Sequence, residues 1–432
     1  MAVKFSETTV GKVCQIFDGP HATPTRLSSG PIFLGITSLN KGSIDLSSSD
    51  HVSESDFVKW TRRVTPQAGD VVFSYETKLG EAAIIPEGLR CCLGRRMGLM
   101  RPDPKHLDSR FLLYYFLGPE FQEVIRERTI HGSTVERLSL NEFPDFPLRL
   151  PALSEQKRIA EILGALDDKI ELNRKMNETL EQMAQVLFNS WFVDFDPVHA
   201  KAAGRQPADM DKGTADLFPD SFVDSELGMI PKGWKNASFA DHMEATRGLS
   251  YKGDGLRSAG SGLPMHNLNS IYEGGGYKHE GLKFYEGEYK EKHLVKPGDM
   301  IVTNTEQGFD QLLIGHAALV PNRYGEKGIF SQHLYRVRPN NTSTFTPHYL
   351  VRLLNNPRWH HWIGGYSNGT TINMLPLDAL EMPKLVVPPV ELIKKYTLTA
   401  KMLDDKFETN LQEIETLASF RNSLLPRLLR GE

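Results

Sequence analysis

The sequence predicts a mixed α/β protein that is built twice along one chain. Three observations support this expectation: an internal repeat, two long helical patterns, and strand-like runs between them. Leu166-Asp167-Asp168-Lys169 recurs as Leu403-Asp404-Asp405-Lys406, an offset of 237 residues that also pairs Asn173 with Asn410. A sequence that repeats at a fixed spacing builds one structural unit per copy. We therefore expect a pseudo-twofold internal repeat.

The two copies match unequally along their length. The 237-residue offset holds from Gly132, which pairs with Gly369, through the two helical patterns. Towards the N-terminus the match loosens, and Gly69-Asp70-Val71-Val72 resembles Gly298-Asp299-Met300-Ile301 at a slightly different offset. Each half therefore combines a C-terminal part that is kept with an N-terminal part that has diverged.

The kept part has the pattern of a long helix. Apolar residues step by four and three positions over 159–191 and again over 396–428, which is typical of the heptad seam of a coiled coil. At ~1.5 Å per residue, a helix of roughly 40 residues is ~60 Å long. Such a seam has to be buried, and the other copy is the obvious partner. We predict helices over 153–195 and 389–432 that form an antiparallel coiled coil.

Asn173 and Asn410 occupy equivalent positions in the two seams. A buried asparagine costs stability but penalises wrong registers, so it can fix how two helices align. Our hypothesis is that the two asparagines set the register by meeting near the centre of the antiparallel pair. The alternative is that both are solvated, or bridged by water, at the edge of the helices.

The diverged parts, residues 1–152 and 231–388, have the pattern of mixed α/β domains. Their regular runs come in equivalent pairs, which are strands at 70–75 and 299–303 and short helices at 111–116 and 349–354. Between the first long helix and the second diverged part, residues 196–230 are polar and contain several alanines and glycines. We expect a long connector there.

Length and composition are those of an ordinary multidomain globular protein. The 432 residues are 40% hydrophobic and 24% charged, and no apolar run reaches the ~18 residues that a membrane span needs. The first ten residues lack a signal-peptide pattern, so we expect a cytoplasmic location and no membrane partner. Cys14, Cys91 and Cys92 have no spacing typical of a disulfide framework or a zinc site. We therefore expect reduced, buried thiols and no metal.

The charge is unevenly distributed along the chain. The net charge of −4 does not by itself indicate a nucleic-acid partner. However, residues 231–375 contain more lysine and arginine than aspartate and glutamate. Binding to a polyanion depends on where the cations lie, because each neutralised phosphate releases counterions locally.

Three phrases of the sequence resemble those of the specificity subunits of type I restriction-modification systems. Residues 150–160 are similar to that family's entry into its central helix, 189–197 to its exit, and 225–234 to the lead into its second target-recognition domain. The order of variable domain, long helix, linker, variable domain and long helix is also that of the family. The first half departs from the family pattern because it lacks the Ile-Pro-x-Gly-Trp phrase, and the second helix begins without Glu-Gln-Lys-Arg.

The resemblance implies a DNA-binding subunit without catalytic residues of its own. Its two target-recognition domains would each read one half of a split, asymmetric site in double-stranded DNA, and the helices would set the unread gap. Two methyltransferase subunits would bind the helices and domains and supply S-adenosylmethionine. Restriction and translocase subunits would use ATP and Mg²⁺. The resemblance therefore implies that this chain itself binds no cofactor.

Twelve side chains of the diverged parts are candidates for DNA contact. Arginine can bind guanine through two hydrogen bonds, and asparagine or glutamine can bind adenine likewise, although cations more often contact phosphate or only solvate a surface. The candidates are Arg62, Arg63, Arg95, Arg96 and Arg101 in the first part and Lys278, Lys283, Asn304, Gln307, Gln332, His333 and Arg336 in the second. The loops 131–134 and 368–371 recur in both halves, which favours a structural turn or a shared backbone contact.

Two alternative functions remain open at this point. A self-contained DNA methyltransferase or nuclease would need a catalytic site. Asn356-Pro357-Arg358-Trp359 lacks the second proline of the amino-methyltransferase loop, and Asp70, Glu76 and Lys78 are closely spaced for a metal-dependent nuclease. The second alternative is a coiled-coil scaffold that never touches DNA.

Overall fold

The structure is a computed structural model that describes residues 4–47, 49–132, 135–307, 312–367 and 372–432, the side chains of Gln307 and Ile372 excepted. The chain divides into two compact units. Unit 1 consists of residues 1–174 and 411–432, and unit 2 consists of residues 175–410. The predicted mixed α/β class is confirmed. The division at residues 152, 195, 230 and 388 stays a prediction, since both units contain part of each long helix.

The first half of the chain contains eleven strands and five helices among its described residues. The strands are β1 (Phe5–Thr9), β2 (Cys14–Asp18), β3 (Leu27–Leu34), β4 (Leu39–Asn40), β5 (Ser43–Ile44), β6 (Asp50–His51), β7 (Val71–Ser74), β8 (Ala82–Ile84), β9 (Cys91–Leu93), β10 (Met97–Pro102) and β11 (Pro147–Pro151). The helices are α1 (Val10–Val13), α2 (Glu54–Trp60), α3 (Ser109–Leu117), α4 (Pro119–Glu127) and α5 (Leu153–Phe192).

The second half repeats this inventory with additions. Its described strands are β12 (Phe222–Ser225), β13 (Gly228–Pro231), β14 (Lys235–Ser238), β15 (Met243–Arg247), β16 (Leu256–Arg257), β17 (Leu263–His266), β18 (Lys283–Tyr285), β19 (Leu294–Val295), β20 (Met300–Thr303), β21 (Thr305–Gln307), β22 (Ala317–Leu319), β23 (Gly328–Phe330), β24 (Leu334–Pro339), β25 (Ile372–Met374) and β26 (Lys384–Val387). Its helices are α6 (Asp196–Ala202), α7 (Lys212–Ala215), α8 (Pro347–Asn355), α9 (Pro357–Gly364), α10 (Asp378–Glu381) and α11 (Val390–Arg430).

The sheets of the two units share one topology. A four-stranded antiparallel sheet has the order β2-β10-β7-β8 in unit 1 and β15-β24-β20-β22 in unit 2. A parallel pair, β3 with β9 or β17 with β23, lies in a second sheet of each unit. The pairs β1-β11 and β14-β26 complete the match. The repeat predicted from the helices therefore extends through the diverged parts, although their sequences differ.

The cores of the two diverged parts place a large and a small residue at equivalent positions, but on opposite strands. In unit 1, Gly98 of β10 faces Phe73 of β7, and a Cβ on Gly98 would overlap the Phe73 ring. In unit 2, Tyr335 faces Val302 at the corresponding pair, and all these side chains are buried. A large residue therefore meets a small one in both units, as close packing of a core requires.

The long helices α5 and α11 run antiparallel where they meet within each unit. In unit 1, Arg421 donates to Asp167 over 2.6 Å and Asn173 donates to Glu413 over 2.9 Å. In unit 2, Asn410 donates to Asn177 over 2.8 Å. As the residue number rises along α5, the number of its partner in α11 falls, which is the arrangement of two antiparallel helices. The predicted packing of the two long helices is confirmed.

The asparagines of the seam do not bond as the hypothesis stated. Asn173 and Asn410 are both fully buried, which excludes the solvated alternative. Each donates to the other helix, but to Glu413 and Asn177 respectively rather than to its counterpart. Asn177 also donates to the carbonyl of Phe407 over 3.2 Å. The direct meeting is therefore wrong, while a role for Asn173 and Asn410 in the register stays a prediction.

The connector is more ordered than its polar composition suggested. Residues 196–230 form α6, α7 and the hairpin β12-β13. Val198 and Phe218 are buried in the core of unit 2, and Phe195 packs edge-on against Trp234. These few apolar residues anchor the segment, which the average composition of the stretch does not reveal.

The cysteines and the helices agree with the composition. Cys14, Cys91 and Cys92 are free and buried, and burial raises the pKa of each thiol to about 12. Among the described residues, no helix is both long and apolar enough to cross a bilayer.

Candidate nucleic-acid interface

The same backbone frame holds some of the candidate DNA contacts at one end of the four-stranded sheet in each unit. In unit 1, the amide of Tyr75 donates to the carbonyl of Arg96 over 3.3 Å, and the amide of Leu138 donates to the carbonyl of Tyr75 over 2.8 Å. In unit 2, the equivalent bonds run from Asn304 to His333 over 3.0 Å and from Leu375 to Asn304 over 2.8 Å. We call each of these ends the reading frame of its unit.

The reading frame of unit 1 is centred on Asp18, the last residue of β2. The Tyr75 hydroxyl donates to Asp18 over 2.9 Å, and burial followed by the charge of Asp18 raises the pKa of Tyr75, so the hydroxyl keeps its proton. His21 lies 2.8 Å and Arg63 lies 3.5 Å from the same carboxylate. Arg96 forms an ion pair with Glu76 over 3.1 Å. Of the five predicted contacts in unit 1, Arg63 and Arg96 are thus brought to the frame.

Two further cations of unit 1 lie on the surface. Arg62 precedes Arg63 in the turn after α2, and Arg95 precedes Arg96 in the turn before β10. Both are exposed, and within the described part of the chain neither side chain forms a hydrogen bond or an ion pair. Arg96 has a φ of 72°, a left-handed conformation that is uncommon for a residue with a side chain. Arg95 and Arg96 therefore lie in a turn and do not continue the alternation of side chains along β10.

The reading frame of unit 2 carries different side chains. His333 accepts from or donates to the Thr305 hydroxyl over 2.9 Å, and its neighbour Gln332 is half-buried. Burial lowers the pKa of His333, and the charges of Arg247 and Lys283 lower it further. The imidazole is therefore held neutral beside two cations. Lys283 also lies over the Tyr251 ring, 5.9 Å from its centroid.

Several predicted contacts support the fold instead of facing outwards. Arg101 forms two hydrogen bonds to Asp70, 2.8 and 2.7 Å long, and Arg338 forms the equivalent pair with Asp299 in unit 2. Because this pair is the same in both units, it is a shared part of the scaffold. We therefore leave Arg101 out of the interface proposed below.

Asn304 and Arg336 also have internal partners. Asn304 is fully buried, and its amide nitrogen donates to the carbonyl of Gln332 over 3.1 Å. Arg336 donates to the carbonyl of Leu294 and lies over the Phe330 ring. Burial lowers the pKa of Arg336, and the nearby charge of Arg338 acts in the same direction.

The remaining candidates lie elsewhere or cannot be placed. Lys278 is half-buried over the Tyr272 ring, 5.6 Å from its centroid, and is not tied to the frame by any contact within the described residues. Gln307 ends β21, but its side chain lies outside the described part. The recurring loops 131–134 and 368–371 also fall largely outside it.

Sequence reasoning missed Asp18 and Arg247, which end β2 and β15 at equivalent places. Asp18 faces Gly98 across the sheet, and Arg247 faces Tyr335. The signal was present, because Asp18 and Arg247 are separated by the same offset as Gly69-Asp70-Val71-Val72 and Gly298-Asp299-Met300-Ile301. Applying that second offset towards the N-terminus would have paired them.

The catalytic motifs considered above have structural roles. Asp70 is 3% exposed beneath Arg101, where a nuclease carboxylate would have to reach water and a metal ion. Asn356 caps α9 by accepting from the amide of Arg358 over 3.0 Å. Among the described residues, no group of three or more histidine, cysteine, aspartate or glutamate side chains is placed to hold a metal ion.

Comparisons with known proteins agree with the two-fold architecture. A family model described as the type I restriction modification DNA specificity domain matches residues 9–182. The MjaIX specificity subunit of Methanocaldococcus jannaschii is 24% identical over 395 residues, which cover 88% of this chain and 81% of that protein. The HindI specificity subunit of Haemophilus influenzae is 24% identical over 380 residues, covering 77% of this chain and 79% of that protein.

One solved structure shares the fold over the whole chain. The crystal structure of the type I restriction-modification S subunit from M. genitalium superposes with a TM-score of 0.59 at 14% identity, covering 99% of this chain and 96% of that one. This likeness concerns the fold alone. The family model over residues 9–182 and the two relatives, each 24% identical, make the chain similar to the type I restriction-modification specificity subunits, the DNA-specificity components of these enzymes.

Proposed function

We propose that each unit reads one half of a split, asymmetric site in double-stranded DNA through its reading frame. The observation that carries this proposal is one backbone frame with different side chains: the half-buried Arg96 in unit 1 stands where the half-buried His333 stands in unit 2. A symmetric site would need the same chemistry in both frames. Different hydrogen-bonding groups at equivalent places favour two different half-sites.

The charge around the frames fits a polyanionic ligand. Arg63 and Arg96 lie in the frame of unit 1, with the exposed Arg62 and Arg95 next to them in sequence, and Arg247 and Lys283 lie beside that of unit 2. The chain as a whole is negative, so this local excess of cations is not a consequence of composition. Cations placed in this way would contact phosphates and hold the frames against the base edges.

The helices would serve as the spacer and as a docking site for two methyltransferase subunits. Met183 of α5 and Phe420 of α11 are separated by the 237-residue offset, and each is 53% exposed. Exposed apolar residues at equivalent positions suit two copies of one partner. Those partners would supply S-adenosylmethionine, and restriction subunits would supply the ATP- and Mg²⁺-dependent steps.

Sequencing of modified bases in the host genome, with and without this gene, tests the proposed function. We expect methylation at one split motif, with two different half-sites, to disappear when the gene is deleted. A methylated palindrome would contradict two different readers. An unchanged methylome in a host whose methyltransferase partner is expressed would favour a scaffold that does not read DNA.

Replacing Met183 or Phe420 with aspartate tests the docking site. Each exposed side chain can be changed without opening the core, so we expect each single variant to fold normally. Each should lose one of two methyltransferase copies, because a charge at a desolvated contact opposes association. The mass of the complex, measured by light scattering after co-expression, distinguishes two, one and no copies. The matched control is Asn422→Asp, at an exposed residue on another face of α11, and complexes with two copies in every variant would contradict the docking site.

A further inference from the structure

We propose that Asp18 and Arg247 are specificity-determining residues of opposite hydrogen-bonding polarity, so that unit 1 reads an amino group and unit 2 reads a guanine at the equivalent place. This inference rests on the proposed function and assigns the chemistry of its two half-sites. Asp18 would accept from the exocyclic amino group of cytosine or adenine. Arg247 would donate to the O6 and N7 acceptors of guanine.

The two residues are equivalent by position in the sheet. Each is the last residue of the edge strand of a four-stranded sheet, β2 or β15. Each lies opposite the central strand, at Gly98 of β10 or Tyr335 of β24. The same backbone position therefore carries an acidic side chain in unit 1 and a basic side chain in unit 2. The hydrogen-bonding polarity is reversed by the side chain alone.

Asp18 is held as an oriented acceptor within a cationic rim. The Tyr75 hydroxyl fixes one carboxylate oxygen over 2.9 Å, and this contact is internal to the frame. The other oxygen faces His21 and Arg63, whose side chains are 66% and 64% exposed and can move aside. A carboxylate at a phosphate-binding surface would be repelled by the backbone of DNA. Its presence there is explained if it meets an amino donor of a base.

Arg247 is oriented by two contacts and keeps N–H donors that no described residue accepts from. Its Nε donates to the carbonyl of Gln332 over 3.3 Å, and its Nη2 lies 3.9 Å from the sulfur of Met374. Among the described residues, no atom accepts from its Nη1. The side chain is exposed, and the two anchoring contacts restrict the orientation of the guanidinium plane. A planar fork of N–H groups that is oriented and accessible suits the two acceptors of guanine.

The experiment uses the full chain co-expressed with its methyltransferase partner in a host without such methylation, followed by genome-wide sequencing of modified bases. The variants are Asp18→Asn, which keeps the size of the side chain and makes one of its acceptors a donor, and Arg247→Gln, which removes the charge and the guanidinium fork and leaves a shorter amide. The matched controls are Asp103→Asn in unit 1 and Arg205→Gln in the connector, which make the same charge changes at exposed residues away from the frames.

We expect each variant to alter one half of the motif only. Asp18→Asn should lower methylation at the original site about tenfold or more and relax or change one base of one half-site. Arg247→Gln should do the same to the other half-site. The controls should read the original motif.

Three outcomes would overturn the inference. Variants that read the original motif at the original level would show that neither residue contacts a base. A uniform loss at all sites, without a change in base preference, would indicate phosphate contacts. If Arg63→Gln reproduces the altered motif of Asp18→Asn, then Asp18 acts only by positioning Arg63. Each of these outcomes leaves the split motif of the unaltered chain intact, whereas failure of the proposed function would remove it.

Discussion

Replacing Asp404 with leucine is expected to destabilise unit 2 by about 3–5 kcal/mol, because it leaves the buried guanidinium of Arg352 without the more buried of its two carboxylate partners. Arg352 of α8 is 8% exposed, donates to Asp404 over 2.6 Å, and also contacts Glu181 of α5. Burial alone would lower the pKa of Arg352, but Asp404 and Glu181 outweigh it and raise the pKa, so the group stays charged. His348 lies 2.6 Å from the same carboxylate and would lose its partner as well.

A second variant separates the buried charge from the loss of packing. The double variant Arg352→Met/Asp404→Leu removes both members of the pair, and we expect it to recover most of the lost stability. Urea unfolding followed by tryptophan fluorescence measures both, since Trp191, Trp234, Trp359 and Trp362 all lie in unit 2. Asp405→Leu, at an exposed neighbour, is the matched control. A double variant as unstable as Asp404→Leu would contradict the charge-based explanation.

This buried pair also shows why the kept part of each half could be predicted. Asp404 repeats Asp167, and each accepts a hydrogen bond from a short helix of its own unit, from Arg352 of α8 in one case and from Tyr114 of α3 in the other. The carboxylate recurs because α5 and α11 have the same task in the two halves. Each packs against the short helices of a diverged part on one face and against the other long helix on another face. Because Asp167 and Asp404 have comparable partners in their two units, their repetition in the sequence predicts two equivalent helices.

The reading frames could not be predicted in the same way. Tyr75 and Asn304, or Arg96 and His333, occupy one backbone position each but share no side-chain chemistry, so no repeated letter marks them. The arginines were a poor guide, because a sequence does not distinguish Arg101, which is bonded to Asp70, from Arg95, which is exposed. The repeat could have made that distinction, since Arg101 has a counterpart at Arg338 and a shared residue favours a scaffold role. The hypothesis that Asn173 and Asn410 meet was wrong for a related reason. Two residues at equivalent sequence positions need not lie opposite each other in an antiparallel pair of helices.

Acidification is expected to destabilise unit 2 through two buried histidines. Burial lowers the pKa of His266 to about 3, opposed only by the charge of Asp299. Burial and His360, whose ring stacks 3.8 Å from that of His316, lower the pKa of His316 to about 4. Both side chains carry an ordinary pKa of 6.5 when unfolded. Below pH 6.5 the unfolded chain binds protons at these histidines and the folded chain does not. The free energy of unfolding is therefore unaffected by them above pH 6.5 and decreases as the pH falls, until His316 titrates in the folded chain near pH 4 and His266 near pH 3.

At pH 5 each of these two histidines should cost about 2 kcal/mol relative to pH 7.5. The measurement is urea unfolding of the full chain at both values, again by tryptophan fluorescence. Asparagine at position 316 (His316→Asn) cannot take up the proton, so this variant should be less stable at pH 7.5 but lose about 2 kcal/mol less on acidification. His361→Asn changes an exposed histidine of the same helix as His360 and should leave the acid-induced loss as it is. If His316→Asn loses as much stability between the two pH values as the unaltered chain, the stacked imidazole does not titrate on unfolding, and carboxylates must account for any sensitivity to acid.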